Sequence, residues 1–428
     1  MKIKVIEKSF NEVMAEHRRD KHPHQKPIRP NIFWRTLMRI VGAPDLIATH
    51  FTFDRVGMEK VKKGEHMFVL MNHSSFIDLE IIARVMYPRP FNIVATVDGF
   101  IGKDWLMRQI GCIPTKKFVA DAALVRDMLS VAKSHRSSLI MYPEASYSFD
   151  GRATAMPDTL GKCVKLLGMP LVIVRTSGAY LRDPLYNNLQ RRRVKVSAHM
   201  ECLMSSEEVK NADPDRINEM IRESFSFDAF AEQERQHIRI DEPFRADGIE
   251  RILYKCPACG AEGKTEGRGT EIFCHSCGKE YTLNEYGVIE AQNGAEFPHL
   301  PDWYDWERAE VREQILRGEY SLDLAVDIMV IVDTKHLFRV GTGRLTHDPE
   351  HGFRLCSDDG QIDYTHKPTA SYSLNADFNW YELGDVICIG DADCLFYCMP
   401  TEQKGVVAKA RLATEEIYKI CMEKKKNG

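Results

Sequence analysis

Residues 66–80, HMFVLMNHSSFIDLE, carry an apolar run that stops at Asn72-His73-Ser74-Ser75 and resumes with an acid at Asp78. An apolar run of strand length, a polar tetrad and then LEIIARVMY with helical periodicity reads as strand, tight turn and helix. The alternation continues: FNIVATV, SSLIMYP, PLVIVRT and VKVSAHMECL read as strands, and ALVRDMLSVAKSH, DTLGKCVKLLG and PDRINEMIRESF as helices between or after them. Strands alternating with helices need crossover connections, so the expected class is α/β with a mostly parallel sheet covered on its faces. In such sheets ligands collect beyond the carboxyl ends of the strands, which is where His73 would stand.

If the helix begins just after the tetrad, Asp78 can fold back to accept the Nδ1 proton of His73. The other ring nitrogen is then free to act as a base on a hydroxyl that attacks a carbonyl. On spacing alone, a helix start capped by Ser75 and Asp78 beside a surface histidine fits as well.

The wider context tips the balance. NHSSFID strongly resembles the first motif, N-H-x-S-x-x-D, of the glycerolipid and lysophospholipid acyltransferases, and further matches follow in that family's order. IGCIPTKK at 110–117 stands where the family has a glycine-rich turn and a basic residue for the acceptor's phosphate. MYPEASYS at 141–148 stands where it has F-P-E-G-T-R-S, and GMPLVIV at 168–174 where its fourth block lies. The resemblance covers roughly residues 30–240. It implies an O-acyltransferase of phospholipid biosynthesis, drawing on acyl-CoA or acyl carrier protein and acylating a lysophospholipid, foremost 1-acylglycerol-3-phosphate. By the same resemblance His73 and Asp78 are catalytic, and Asn72, Ser75, Lys116, Lys117, Glu144 and Ser146 belong to the substrate site.

The third motif departs from the family. Ala145 replaces its glycine, Ser146 its threonine, and Tyr147 the arginine that ordinarily contacts phosphate. Arg152, or Arg175 after the fourth block, is a candidate substitute. The competing reading is a non-catalytic lipid- or protein-binding adaptor on a degenerate acyltransferase fold.

Cys256-x2-Cys259 and Cys274-x2-Cys277 form two thiolate knuckles, each followed by a glycine, Gly260 or Gly278. Such a pair resembles a zinc ribbon and closes a tetrahedral S4 site for structural Zn2+, with no open position for catalysis. His275, between two ligands, is expected to stand aside. The remaining cysteines lie mostly in apolar or helical contexts, which fits packed reduced thiols rather than a disulfide framework.

In NIFWRTLMRIVG, residues 31–42, Phe33, Trp34, Leu37, Met38, Ile40 and Val41 share one arc of a helix and Arg35 and Arg39 another. The pattern serves a helix lying in an anionic membrane interface and a helix packed on its own core equally well. No stretch reaches the roughly 18 apolar residues of a spanning helix, so the expected location is cytoplasmic, peripheral on the inner membrane face. A net charge of -4 argues against a nucleic-acid partner.

Beyond residue 320, runs such as DIMVIVD, HGFRLC, VICIGD and CLFYCMP alternate with turn signals, and VVAKARLATEEIYKICMEKKK closes the chain as a helix. Strands capped by a C-terminal helix resemble the pleckstrin-homology type of barrel. The expected division is a basic amphipathic membrane-associating segment (1–45), an acyltransferase domain (46–245), a zinc ribbon (250–290), a connecting helix (300–319) and a β-rich domain (320–428).

Overall fold

The computed structural model describes residues 3–19, 24–119, 121–402 and 405–427. Of the segment 1–45, residues 1, 2 and 20–23 lie outside the described residues. Strand β1 (Val5–Glu7) pairs in parallel with Leu337–Arg339, and the helix Phe10–Arg19 behind it buries Val13. Residues 5–19 therefore belong to the C-terminal sheet, which corrects their grouping with a membrane segment. The physical reason is that VIE satisfies its backbone groups against a strand edge, while Phe10 packs on Phe396 at 5.8 Å between ring centroids.

Seven strands build the α/β domain: β2 (Thr52–Val56), β3 (Phe68–Met71), β4 (Phe91–Thr96), β5 (Cys112–Thr115), β6 (Ser138–Met141), β7 (Leu171–Ser177) and β8 (Ser197–Met204). Their order is β2-β8-β7-β3-β6-β4-β5. Neighbours run parallel except β7 and β8, which are antiparallel, so the sheet is mixed. Between those two strands the chain forms the four-residue helix Ala179–Arg182 and a turn of 3-10 helix before returning beside β7. The four residues of β3 are all buried, as a strand covered on both faces requires, and β6 and β7 flank it.

The cysteine-bearing module holds β9 (Thr265–Arg268), β10 (Glu271–Cys274), β11 (Glu280–Leu283) and β12 (Ile289–Glu290) in one antiparallel sheet. The helix Leu300–Leu316 leads on to β13 (Leu322–Ile331), β14 (Leu337–Asp348), β15 (Gly352–Ser357), β16 (Asp363–His366), β17 (Asn375–Trp380), β18 (Gly384–Gly390) and β19 (Leu395–Pro400). These seven run in the order β16-β15-β14-β13-β19-β18-β17, antiparallel throughout, with β1 added on β14. Among the described residues no pairing joins β16 to β17, so strand pairing does not close the barrel that the sequence suggests.

The modules share apolar cores rather than hanging as beads. One buried cluster runs from Tyr180 and Leu185 through Ile272, Tyr281 and Trp303 to Val326 and Leu412. Another packs Val97 and Ile101, just beyond the carboxyl end of β4, against Met329, Trp380 and Tyr397. The C-terminal sheet thus lies against the edge of the α/β domain where a ligand is expected.

Candidate active site

β3 delivers Asn72 and His73 to the carboxyl edge of the sheet, and the helix Asp78–Met86 starts one turn later. His73 Nδ1 lies 3.0 Å from Asp78 Oδ2. The same carboxylate oxygen accepts from the backbone N–H of Ser74 (2.9 Å) and Ser75 (3.2 Å), which pins the turn. Asp78 therefore caps the turn and holds the imidazole at once, so the capping and orienting readings of the sequence are one arrangement. With Nδ1 facing the carboxylate, Nε2 is the nitrogen left for a substrate.

The imidazole is sandwiched between two phenol rings, Tyr142 at 4.1 Å and Tyr147 at 3.8 Å between centroids, and Phe76 stacks on Tyr147 at 5.6 Å. This dry stack lowers the His73 pKa below its usual value through burial, opposed by the hydrogen bond and charge of Asp78. Neutral imidazole, the form that can accept a proton, is thereby favoured.

The remaining residues of the expected site divide into those that brace the dyad and those turned elsewhere. Asn72 is buried and exchanges hydrogen bonds with Thr176 on β7: its Oδ1 accepts from the Thr176 N–H (2.8 Å), and its Nδ2 donates to Thr176 Oγ1 (3.0 Å). Ser75 Oγ donates to Asp183, whose carboxyl is pushed up to about 6 by burial. Glu144 Oε2 accepts from the His73 backbone N–H (3.0 Å), while Oε1 accepts from Thr154 (2.7 Å). Burial pushes the Glu144 carboxyl up to about 7 against those two hydrogen bonds. Ser146 is buried close by, its hydroxyl oxygen without a hydrogen-bond partner among the described residues.

Glu144→Gln replaces one acceptor oxygen by an amide that can only donate, facing a backbone N–H. Leaving a buried donor unmatched costs about 1–3 kcal/mol, so the variant is expected to melt at a lower temperature and to lose activity through the misplaced His73 backbone. An unchanged melting temperature would show that Glu144 does not hold the loop.

Ala145 sits at φ 54°, in the left-handed region that favours glycine, which explains why the resembling family has glycine there. Lys116 Nζ donates to the Ala392 carbonyl of the β18–β19 loop. Lys117 has no hydrogen bond or ion pair among the described residues, and its charge acts on both His73 and Asp377. Arg152 is turned away from a phosphate role: its guanidinium meets Asp150 (2.7 Å) and Asp305 (2.7 Å) beside a cavity of about 370 Å³ that His73 does not line. Local sequence could not announce this, because Asp305 comes from the distant helix Leu300–Leu316. Arg175 is likewise engaged, with the Ser224 carbonyl at 3.2 Å. The reading from sequence missed Tyr142 as a ring partner, Thr176 and Asp183; only Tyr142, inside MYPEASYS, carried a local signal.

The four cysteines form a second candidate site. Cys256, Cys259, Cys274 and Cys277 have their sulfurs within 4.8 Å of one another. Cys256 and Cys277 are 3.8 Å apart and Cys259 and Cys274 3.7 Å apart. A tetrahedral metal with bonds of about 2.3 Å to sulfur needs sulfurs about 3.8 Å apart, so the set fits a zinc-sized ion. Gly260 (φ 72°) and Gly278 (φ 74°) close the two knuckles in the left-handed conformation, each N–H returning to the carbonyl of the first cysteine at 2.8 Å. The His275 ring turns to Glu266 at 2.7 Å.

Comparison with known proteins adds the following. Residues 53–175 match the family model described as Acyltransferase. A comparison with curated proteins finds no match. Among solved structures, the 1-acyl-sn-glycerophosphate (LPA) acyltransferase PlsC from Thermotoga maritima is similar over 45% of this chain and 78% of that one, at 17% identity and a TM-score of 0.35. The family match spans the strand–turn–helix that carries His73 and Asp78, together with Lys117 and Glu144, so residues 53–175 are similar to an acyltransferase domain.

Proposed function

We propose that the chain is an O-acyltransferase that moves a fatty acyl group from a thioester, acyl-CoA or acyl carrier protein, to the hydroxyl of a lysolipid. The observation that carries this reading is the 3.0 Å contact of His73 Nδ1 with Asp78 at the sheet's carboxyl edge, within the matched family region. His73 Nε2 takes the hydroxyl proton as the oxygen attacks the thioester carbonyl. The carbon–sulfur bond then breaks, the thiolate takes the proton back from the imidazolium, and ester and thiol leave with the enzyme unchanged. Within this reading 1-acylglycerol-3-phosphate is the acceptor implied by the resemblance. The test crosses labelled acyl-CoA and acyl carrier protein with a panel of lysolipids and reads products by mass. Transfer absent from every pair, in folded protein, would favour the adaptor reading.

The peripheral-membrane reading rests on the helix Ile32–Val41 and its neighbours. Asn31 caps this helix by accepting from the Trp34 N–H. Trp34 and Met38 pack on the α/β core, whereas Phe33 (63% exposed), Ile40 (62%), Val41 (69%), Ile47 (73%) and Trp105 (66%) face outward. The helix thus packs on the core through two residues and leaves other large apolar side chains exposed, which supports the membrane reading. Among the described residues no helix is long and apolar enough to cross a membrane. Burying one large apolar side chain contributes about 1.5–3 kcal/mol, so Phe33→Asp with Val41→Asp is expected to lower sedimentation with anionic vesicles more than tenfold. Equal sedimentation of variant and wild type would remove this face from membrane contact.

A further inference from the structure

The C-terminal helix Val406–Asn427 sends one side chain to the catalytic loop. Arg411, 3% exposed, donates from Nη1 to the Tyr147 carbonyl at 3.1 Å and lies over the Phe149 ring at 4.3 Å. Its Nε lies 3.4 Å from Glu415 Oε1, and Glu415 is tied in turn to Arg308 at 2.7 Å and to the Ser373 hydroxyl at 2.6 Å. Burial acts to raise the Glu415 carboxyl, yet the charges of Arg308 and Arg411 hold it down at about 2. A buried, ionised partner thus fixes the guanidinium where it stands.

What Arg411 holds is a segment with no regular structure of its own. Residues 145–150 form neither helix nor strand, and Ala145 stands at φ 54°, a conformation that costs free energy in a residue with a Cβ. On one side the Ser148 N–H returns to the His73 carbonyl at 3.2 Å, which ties the segment to the catalytic turn. On the other, Tyr147 packs against the shared core that contains Ala408 and Leu412 of the C-terminal helix. Between these ties the Tyr147 ring lies stacked on His73 at 3.8 Å.

We infer that Arg411 is a positioning residue for acyl transfer: by holding the Tyr147 backbone it keeps the phenol ring against His73, so the C-terminal module completes the active site. The inference rests on the acyl-transfer reading above and adds to it a residue far outside the matched region 53–175. A guanidinium donating to a carbonyl makes a charge-assisted hydrogen bond, roughly twice as strong as a neutral one. Arginine suits the place because one planar fork spans Glu415 and the Tyr147 carbonyl while its face covers Phe149. A lysine ammonium is a point charge without that fork.

Loosening the ring would change the base. Water reaching His73 relieves the burial that lowers its pKa, so the value rises toward the ordinary 6.5 and the acid limb of kcat/KM moves to higher pH. This is the direction opposite to that expected on neutralising Asp78. The other groups facing the imidazole are Asp78 at the helix start, Tyr142 and Glu144 after β6, and the charge of Lys117 after β5. All of them remain in an Arg411 variant.

Arg411→Ala would leave Glu415 short of a partner in the interior, so the test uses Arg411→Lys, which keeps the buried charge without the fork. Full-length wild type, Arg411→Lys and Arg308→Met are titrated by histidine NMR, with the His73 signal assigned by its loss in His73→Ala. Their kcat and KM are measured with one thioester donor and a panel of lysolipids. In Arg411→Lys, His73 is expected to titrate closer to 6.5 and kcat to fall about tenfold or more with KM little changed. Arg308→Met breaks the same buried network without touching the Tyr147 carbonyl, so it should melt at a lower temperature and leave the His73 titration in place. An unmoved His73 titration or an unchanged kcat in Arg411→Lys overturns the inference. An equal shift in Arg308→Met overturns it too, by reducing Arg411 to general packing. If no acceptor is acylated the acyl-transfer reading fails, and the NMR titration still decides whether Arg411 holds Tyr147 on His73.

Discussion

His73→Ala is expected to lower kcat/KM for acyl transfer by about 10²–10⁴, the usual worth of a positioned general base, while the far-UV circular dichroism stays that of the wild type. Asp78→Asn should fall nearly as far. An asparagine oxygen can still accept from Ser74 and Ser75, so the turn survives, but the imidazolium formed during transfer loses its counter-charge and the ring its fixed tautomer. The pH profile separates this account from a purely structural one. Burial lowers the His73 pKa from the ordinary 6.5 and Asp78 opposes that shift. The base therefore stays deprotonated to lower pH, and the acid limb of kcat/KM in the wild type falls below 6.5. Asp78→Asn removes the opposing charge and moves the limb lower still. A limb at or above 6.5, or full turnover by His73→Ala, contradicts the general-base role.

The second large effect concerns the cysteine cluster. Wild-type protein is expected to hold about one zinc per chain, and Cys256→Ser or Cys274→Ser to lose it, because the three remaining sulfurs cannot complete the tetrahedron. The loss will not stay local. Tyr281 and Ile272 of this module share a core with Trp303 and with β13, and Trp303 Nε1 donates to the Lys255 carbonyl at 2.9 Å. Structural zinc binding is worth about 10–16 kcal/mol in isolated modules, so melting should become broad and begin at lower temperature in both variants. His275→Ala, whose ring pairs with Glu266 outside the cluster, should leave metal content unchanged. Well-folded wild-type protein free of metal would contradict a structural zinc.

The elements that could be read from the sequence are those whose stabilising contacts leave a local pattern. FVLM is buried on both faces and therefore continuously apolar, and the polar tetrad after it marks the sheet's edge. The knuckles are legible because ligand spacing is a local property. TFDRV was not recognised as β2, since four of its five residues are exposed and two are charged. CIPT, with a proline inside and a glycine before it, reads as a turn, although it pairs with β4 as the edge strand β5. Nothing near β8 reveals that it runs antiparallel to β7. Arg152 shows the same limit on the scale of a side chain: its direction is set by Asp305 on a helix that local sequence cannot place beside it.

The pairing of β1 with β14 has a topological meaning. Val5 opposes Leu337, so everything between, the α/β domain and the cysteine module included, is an insertion within the C-terminal sheet. An inserted domain is tethered at both ends, which disfavours wide swinging about a single hinge. It also dictates an order of assembly: β1 leaves the ribosome first but has no partner until β14 follows, and long-range pairings of this kind form late.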